Sequence, residues 1–244
     1  MRHSRLAVLA LALPLALPLA GTAYANGSAS ANLEPVPLNG SGGSGTGMVT
    51  VDGNQIEFSL AASGLADGPH AAHIHFGAEA RHECPRADED KNGDNRLNTT
   101  EGQPAYGPIV VSLTKTGDTS DKSGLAVKRF ASGKSIKYSR GGVTVAPAVA
   151  KAITNGQALV VVHGVAYTDE RKNAKSDLMA SLPASATDPA ICGILNASPA
   201  GGAATGAGGA ATSSQSTTMI ALGGAALVFA AGAGTLAARR VRGE

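Results

Sequence analysis

The folded part of this chain is predicted to be all-β, an antiparallel sandwich or barrel. Short apolar runs recur through the middle of the sequence, and turn-forming pairs such as Asp52-Gly53 and Gly141-Gly142 separate them. That spacing is typical of strands joined by short turns. The predicted strands cover residues 48–51, 56–60, 71–76, 109–113, 125–130, 136–139, 158–165 and 191–195. One short helix is predicted at 147–154, ending before Asn155-Gly156.

The two ends of the chain have targeting features. Residues 1–25 read as a secretory signal peptide, with Arg2 and Arg5 at the start, an apolar stretch, and an A-x-A cleavage site at Ala23-Tyr24-Ala25. Residues 219–238 are uncharged and apolar, which is long enough for a transmembrane helix, and the basic tail 239–244 follows at once. We therefore expect an extracytoplasmic, membrane-anchored domain with its C-terminus in the cytoplasm.

Two low-complexity segments bound the expected domain. Residues 26–47 are predicted to form a Gly/Ser-rich linker, and residues 198–218 an Ala/Gly/Ser/Thr-rich tether. Residues 48–197 remain as one domain, large enough for a hydrophobic core.

The formal net charge of +2 comes from the two ends of the chain. The signal and the tail hold five of the twenty basic residues and one of the eighteen acidic ones, which leaves a net charge of −2 on the exported part. Nothing in this balance indicates nucleic acid binding. The high alanine and glycine content and the single anchor suggest a bacterial cell surface.

Half of the six histidines lie within six residues, at His70, His73 and His75. His73 and His75 are two residues apart in an apolar, strand-like run, so their side chains point to the same face about 7 Å apart. Two imidazoles placed in this way can reach one metal ion, which predicts a copper or zinc site. The alternative is that both are ordinary histidines at the edge of the core.

The two cysteines, Cys84 and Cys192, both fall in the predicted domain. An oxidising compartment favours a disulfide between them, with two free thiols as the alternative.

Four separated features together resemble the copper-zinc superoxide dismutases. Cys84 follows His75 by nine residues, the same step as to the first disulfide cysteine of that family. The stretch 156–163, ending at His163, looks like the late strand that brings a further copper-binding histidine, and Cys192-Gly193-Ile194 looks like the closing strand. The pattern that resembles the copper strand itself is Leu65-x-x-Gly68-x-His70-x-x-His73-x-His75. The Ala72-His73-Ile74-His75 run also resembles chordin-type (CHRD) domains.

This resemblance implies a Greek-key sandwich of eight strands, an Ig-like architecture. It implies that His73, His75 and His163 bind copper and that His70 supports the site from behind. It also implies a disulfide between Cys84 and Cys192.

Two departures from that family affect the expected chemistry. No histidine occurs between His82 and His163, so no zinc site is expected and the fourth copper ligand is missing, unless His82 supplies it. The arginine expected three residues before the last cysteine, which would attract superoxide, is Pro189. Positive charge could instead come from Arg86, Arg171 or Lys172.

A second metal site, for calcium, is predicted within residues 90–101. The spacing fits a twelve-residue loop of the EF-hand type, with oxygen ligands at positions 1, 3, 5 and 12 and a backbone carbonyl at position 7. Cys84-Pro85 before the loop and Gly102-Gln103-Pro104 after it argue against flanking helices, so the loop would be an insertion in a β domain. The alternative is a solvated acidic loop. The predicted calcium ligands are Asp90, Asn92, Asp94, Arg96 and Glu101.

Two hypotheses about function follow. The first is an enzyme, a membrane-tethered copper protein that dismutes superoxide. The second is a non-catalytic, CHRD-like surface module stabilised by a disulfide and calcium. The histidine triad favours the first hypothesis, and the missing arginine and zinc ligands favour the second.

Overall fold

The computed structural model of this protein describes residues 25–198. Its α-helices are α1 (Thr99–Tyr106), α2 (Pro147–Thr154) and α3 (Ala184–Thr187). Its 3₁₀ turns are Ala87–Glu89, Asp121–Ser123, Val127–Arg129 and Glu170–Asn173. Its strands are β1 (Asn26–Pro35), β2 (Ser44–Asp52), β3 (Gln55–Ser63), β4 (Pro69–His70), β5 (Ala72–His75), β6 (Ile109–Ser112), β7 (Ala131–Ser132), β8 (Ser135–Thr144), β9 (Leu159–His163), β10 (Pro189–Ile194) and β11 (Asn196–Ala197).

Most of these strands form one nine-stranded antiparallel sheet, in the order β6-β5-β9-β10-β1-β2-β3-β8, with β11 paired to β1. β1 pairs with β2 over most of its length and with β10 at Glu34 and Pro35, so it joins the two halves of the sheet. The chain crosses between the halves from β3 to β5 and again from β8 to β9, as Greek-key connections do. The prediction of an all-β fold is confirmed, as a curled sheet.

The two halves of the sheet share one hydrophobic core. Phe58 and Leu60 of β3 lie in the same buried cluster as Ile74 of β5 and Val162 of β9. α2 packs against this core through Ile153, and the predicted helix at 147–154 is confirmed. Because side chains alternate along a strand, the core takes only every second residue of each strand.

The strands β5 and β9 are buried on both of their faces. Ile74 and Val162 face the main core, whereas Leu159 and Val161 belong to a second cluster that includes Leu97 and Tyr106. The long segment between β5 and β6, which contains α1, therefore covers the outer face of this half of the sheet. His73, His75 and His163 lie on that covered face.

The prediction of a linker at residues 26–47 is wrong at both of its ends, because residues 26–35 form β1 and residues 44–47 belong to β2. Ala29, Ala31 and Leu33 are buried in the core, and the residues between them are exposed. Two of the three inward side chains are alanines, which contribute little hydrophobicity and favour strands weakly. The two-residue alternation is nevertheless that of a half-buried strand.

The prediction of a strand at 125–130 is also wrong. This segment folds into the 3₁₀ turn Val127–Arg129, and its backbone N–H groups donate to nearby carbonyls, for example from the Ala126 N–H to the Ser123 carbonyl oxygen. Leu125 and Val127 are exposed rather than alternating between core and solvent. Every other predicted strand overlaps an observed one.

The predicted signal peptide, tether, transmembrane helix and basic tail lie outside the described residues, apart from Ala25 and Ser198 at the two boundaries. Among residues 25–198, no helix combines the length and the apolar character that crossing a membrane requires.

Candidate metal centre

The three candidate copper ligands come from two neighbouring strands. β5 and β9 pair in an antiparallel manner, with His73 opposite Val161 and His75 opposite Leu159. His163 is the last residue of β9, and its N–H donates to the Ala71 carbonyl oxygen at 2.7 Å, beside the start of β5. The i, i+2 spacing on β5 and the end of β9 thus bring three imidazoles to one patch of the covered face.

The three rings are in contact with one another. Ring centroids are 5.1 Å apart for His73 and His163, 5.6 Å for His73 and His75, and 6.2 Å for His75 and His163. One nitrogen of each ring lies within 4.8 Å of the corresponding nitrogens of the other two. Two ligand nitrogens, each about 2.0 Å from a shared metal, span at most about 4 Å, so a small contraction would place all three at bonding distance.

Each imidazole is oriented by a backbone carbonyl. His73 Nε2 lies 3.0 Å from the Gly124 oxygen, and His75 Nδ1 lies 2.8 Å from the Gly107 oxygen. His163 Nδ1 lies 2.5 Å from the Thr187 oxygen. A carbonyl only accepts, so each of these ring nitrogens carries the proton. The remaining nitrogen of each neutral ring then has a free lone pair.

Those remaining nitrogens are the observation that identifies the site. Within the described part of the chain, His73 Nδ1, His75 Nε2 and His163 Nε2 are buried polar side-chain atoms without a hydrogen-bond partner. A buried acceptor without a partner is costly and is rare in folded proteins. Three of them that converge on one point fit a bound metal ion, because neutral imidazole nitrogens are good ligands for transition metals.

The electrostatics keep the rings neutral. Burial, and after it the neighbouring His163 and His75, lower the pKa of His73 well below its ordinary value. Burial lowers the pKa of His75 to about 3 and that of His163 to about 4. At neutral pH no proton therefore competes for the three lone pairs.

Aromatic rings enclose the histidines. The Tyr106 ring lies 4.5 Å from the His75 ring, and the Phe130 ring lies 5.5 Å from the His73 ring, centroid to centroid. Tyr106 is fully buried at the end of α1, with its hydroxyl donating to the Thr99 carbonyl oxygen at 3.0 Å. The three histidines are only 2–3% exposed. The centre is therefore closed and dry on these sides.

His70 lies where a supporting residue is expected. Its Nδ1 is 2.9 Å from the His163 carbonyl oxygen, and its Nε2 is 2.9 Å from the Ala66 carbonyl oxygen. It therefore ties the end of β9 to the turn before β4. Gly164 allows this approach, because it has a positive φ of 110° and a Cβ there would lie 2.5 Å from His70 Nδ1.

His82 is not part of the centre. Its Nε2 lies 2.8 Å from the Gly77 carbonyl oxygen, and its ring stacks on Phe76 at 5.5 Å. The group of metal-ligating side chains found within residues 25–198 consists of His73, His75 and His163. The expectation that His82 replaces the fourth ligand is thus not met in this structure.

The candidate cationic side chains are engaged elsewhere. Arg86 pairs with Glu83 and is largely exposed, while Arg171 pairs with Asp169 and lies over the Tyr167 ring at 4.8 Å. Lys172 is exposed in the 3₁₀ turn Glu170–Asn173.

Pro189 occupies the position where the resemblance expects arginine. It is paired in register with His163. At this position the chain therefore offers no positive charge to an incoming anion.

The predicted calcium loop has a defined shape. One carboxylate, that of Asp90, accepts hydrogen bonds from the backbone N–H groups of Gly93, Asp94 and Asn95. Asn95, at position 6 of the loop, has φ of 59°, the left-handed conformation that this position needs. Glu101 accepts from the N–H groups of Lys91 and Asn92 and from that of Asn98, the N-cap of α1.

The expectation that no helix flanks this loop is wrong, because α1 begins at Thr99 inside it and continues through Gly102 and Pro104. The Asn98–Glu101 capping box supplies the start of this helix, and the sequence shows it as N-x-x-E. Calcium binding itself stays a prediction.

The predicted disulfide is confirmed. Cys84 and Cys192 are bonded, with their Cα atoms 5.8 Å apart and a sequence separation of 108. The bond attaches the segment that covers the centre to β10, the strand next to β9.

Sequence reasoning missed the groups that orient the ligands. Gly107, Gly124 and Thr187 act through their backbone carbonyls, which carry no side-chain signature. Tyr106 and Phe130 are apolar aromatics of a kind found in any core. Nothing in their local sequence marks them as parts of a metal centre.

One comparison with known proteins identifies the family of this chain, and another finds similar solved structures. The family model described as CHRD domain matches residues 24–171, a range that includes all three histidines. No curated protein matches this chain significantly. Two similar solved structures are of Candida albicans superoxide dismutase 5. The Cu(II) form is 17% identical and covers 73% of this chain and 97% of its own, with a TM-score of 0.38. A single-substitution mutant is 16% identical and covers 75% and 96%, with a TM-score of 0.39.

Proposed function

Because this chain belongs to the CHRD domain family and carries a buried histidine triad, we propose that it is an exported copper-binding protein. His73, His75 and His163 hold the metal. The observation that carries this proposal is the convergence of three buried imidazole nitrogens without hydrogen-bond partners. The disulfide between Cys84 and Cys192 supports an oxidising location.

The donor set fits copper, and the sequence resemblance to copper-zinc superoxide dismutases is what favours copper over zinc. Three imidazole nitrogens form the ligand group, and no carboxylate or thiolate of residues 25–198 belongs to it. Imidazole suits copper and zinc alike, but structural zinc sites are closed by a fourth protein ligand. Zinc with an open fourth position is the competing occupant, and a competition measurement separates the two metals.

We further propose superoxide as the substrate, on the strength of the sequence resemblance to copper-zinc superoxide dismutases. Bound copper would supply one-electron transfer to and from superoxide by alternating between its two oxidation states. The chain itself holds three neutral imidazoles in fixed orientations and excludes water with Tyr106 and Phe130. Pro189 beside His163 provides no electrostatic attraction, so turnover is expected to fall well below the diffusion limit.

A non-catalytic role is the second candidate. Two observations favour it: the ligand histidines are almost completely buried, and Pro189 rather than an arginine pairs with His163. In that case the CHRD domain would hold copper at the histidines and calcium in the loop 90–101, as stabilising ions of a surface module. This role predicts stoichiometric copper without turnover.

The first test is copper retention. The purified protein is dialysed against copper and then against buffer, and bound metal is measured for the parent, for His73→Ala/His75→Ala and for His82→Ala. We expect one equivalent in the parent and in His82→Ala, and none in the double variant. A parent that retains no copper would remove the proposed function.

A dismutase assay on the copper-loaded proteins then separates the two roles. Activity that is lost in His163→Ala and kept in His82→Ala supports the enzyme. Full loading without activity leaves the non-catalytic module.

We also propose that residues 1–25 direct export and that residues 219–238 anchor the chain in a membrane, with the CHRD domain outside the cytoplasm. The support is the sequence pattern alone. Protease treatment of intact cells tests this: the domain should be digested, and a tag placed after residue 244 should be protected.

A further inference from the structure

The orientation of His163 depends on a single carbonyl, that of Thr187. His163 Nδ1 donates to this oxygen at 2.5 Å, and the Thr99 hydroxyl donates to the same oxygen at 2.7 Å. Thr187 is itself buried, and its hydroxyl contacts the Ser176 hydroxyl at 2.8 Å. A displacement of this carbonyl would release the proton-bearing nitrogen and rotate Nε2 away from the other two ligands.

The next residue, Asp188, holds this carbonyl in place. Its carboxylate is fully buried and receives Arg96 Nη1 at 2.9 and 3.1 Å and the Tyr167 hydroxyl at 2.8 Å. Its backbone carbonyl accepts from the Gly164 N–H at 3.1 Å. Thr187 and Asp188 therefore hold both the side chain of His163 and the backbone that follows it.

Arg96 comes from the segment 90–101, more than ninety positions away in sequence from Asp188. Its side chain is only 9% exposed, and its Nε is held by Asp94 at 2.9 Å. The adjacent Leu97 is fixed by Asn39, whose amide also donates to the Pro189 carbonyl oxygen at 2.8 Å. The segment is thus joined to the start of β10 by one ion pair and one bridging amide.

We propose that the buried Arg96–Asp188 ion pair positions His163 for the metal by fixing the Thr187 carbonyl. The segment 90–101 then contributes to the copper centre, because it supplies Arg96, the cation of this pair. Arg96 and Asp188 are positioning residues and do not touch the metal. This inference rests on the proposed copper site.

A neutral partner of similar size breaks the ion pair while leaving a polar side chain in the same place. Asp188→Asn keeps the shape of the side chain but presents an amide to Arg96, and Arg96→Gln removes the charge from the other side. Partners that orient ligating histidines are typically worth about 10- to 100-fold in metal affinity. We expect a loss of that size in both variants, with the third imidazole weakened or absent in the copper coordination.

The experiment measures Cu(II) affinity by competition with a chelator, together with electron paramagnetic resonance of the copper-loaded protein. The variants are Asp188→Asn, Arg96→Gln and Tyr167→Phe. The last removes a hydroxyl that lies 2.8 Å from the Asp188 carboxylate and 3.3 Å from Asn39 Oδ1, and it leaves the ion pair in place. The control is Val143→Ala, a core truncation in β8, in the other half of the sheet. It should lower the melting temperature and leave the affinity and the nitrogen hyperfine pattern unchanged.

Three outcomes are distinct. A changed spectrum and weaker copper binding in folded Asp188→Asn and Arg96→Gln, with a smaller change in Tyr167→Phe, support the positioning role. Parent-like affinity and spectra in these variants overturn it, and if the two ion-pair variants do not fold, parent-like behaviour of Tyr167→Phe does the same. A parent protein that binds no copper overturns the proposed function instead.

Discussion

Acid should destabilise the metal-free protein through its three buried histidines. The pKa values of His75 and His163 are lowered to about 3 and about 4, and the pKa of His73 is also well below its ordinary value. In the unfolded chain each histidine titrates near pH 6.5. The unfolded state therefore binds more protons as the pH falls below 6.5, and the free energy of unfolding decreases.

The magnitude follows from these values. At pH 5 each unfolded histidine gains about 2 kcal/mol from protonation, while buried His75 and His163 stay neutral, so these two cost the fold about 4 kcal/mol relative to pH 7.5. That is a large share of a typical domain's stability. His73, whose pKa is also lowered by burial, changes the stability in the same direction. For His75 and His163 this loss of stability occurs as the pH falls from the unfolded pKa near 6.5 toward the folded pKa values of about 3 and about 4.

Urea denaturation of the metal-free protein at pH 7.5 and pH 5 measures this difference. In His75→Leu the difference should shrink by about 2 kcal/mol, because one titrating group has been removed. Copper binds only the neutral rings of the folded state, so it should restore stability at pH 5. Equal unfolding free energies at the two pH values would refute the neutral, buried triad.

Three further changes test the structure away from the ligands. Replacing Cys84 and Cys192 by serine should lower the free energy of unfolding by about 4–5 kcal/mol, because the bond closes a loop with a sequence separation of 108. The urea midpoint of this variant should match that of the reduced parent, and a midpoint equal to that of the oxidised parent would contradict the prediction. Calcium should raise the melting temperature of the parent but not of Asp90→Ala or Glu101→Gln, because their carboxylates hold the loop together; an equal rise in all three would remove the predicted site. Phe58→Ala should cost about 3–5 kcal/mol in the core, with copper stoichiometry unchanged in the fraction that remains folded.

The histidine triad could be predicted from the sequence because its ligands are side chains, and their residue type and spacing are visible in the sequence. The His73-x-His75 spacing fixes two ligands on one face of a strand, whatever the rest of the fold does. Placing His163 beside them required the resemblance to a known family, since ninety residues separate it from β5 and no local pattern specifies that β9 lies next to β5. The disulfide between Cys84 and Cys192 follows from the cysteine count and the expected compartment.

The elements that the sequence did not predict correctly have physical explanations. β1 was overlooked because its inward residues include two alanines, whose burial in the core comes from the neighbouring strands rather than from their own hydrophobicity. The run 125–130 is apolar enough for a strand but lies in a loop, where its backbone groups are satisfied by local turns. α1 was missed because Gly102 and Pro104 oppose a helix, and the Asn98 capping box together with the burial of Tyr106 outweighs them.

The position of β1 between β2 and β10 determines how early in synthesis the sheet can close. A chain made from its N-terminus presents β1 early, yet the partner of Glu34 is Cys192, near the end of the domain. At about 5–20 residues per second, synthesis of the intervening stretch takes roughly 10–30 s. Until the end of that stretch has been made, one edge of β1 is unpaired, His163 is without the Thr187 carbonyl, and Cys84 is without its partner. Sheet closure, disulfide formation and orientation of the last ligand therefore all wait for the same short C-terminal stretch, so an almost complete chain still lacks a finished metal centre.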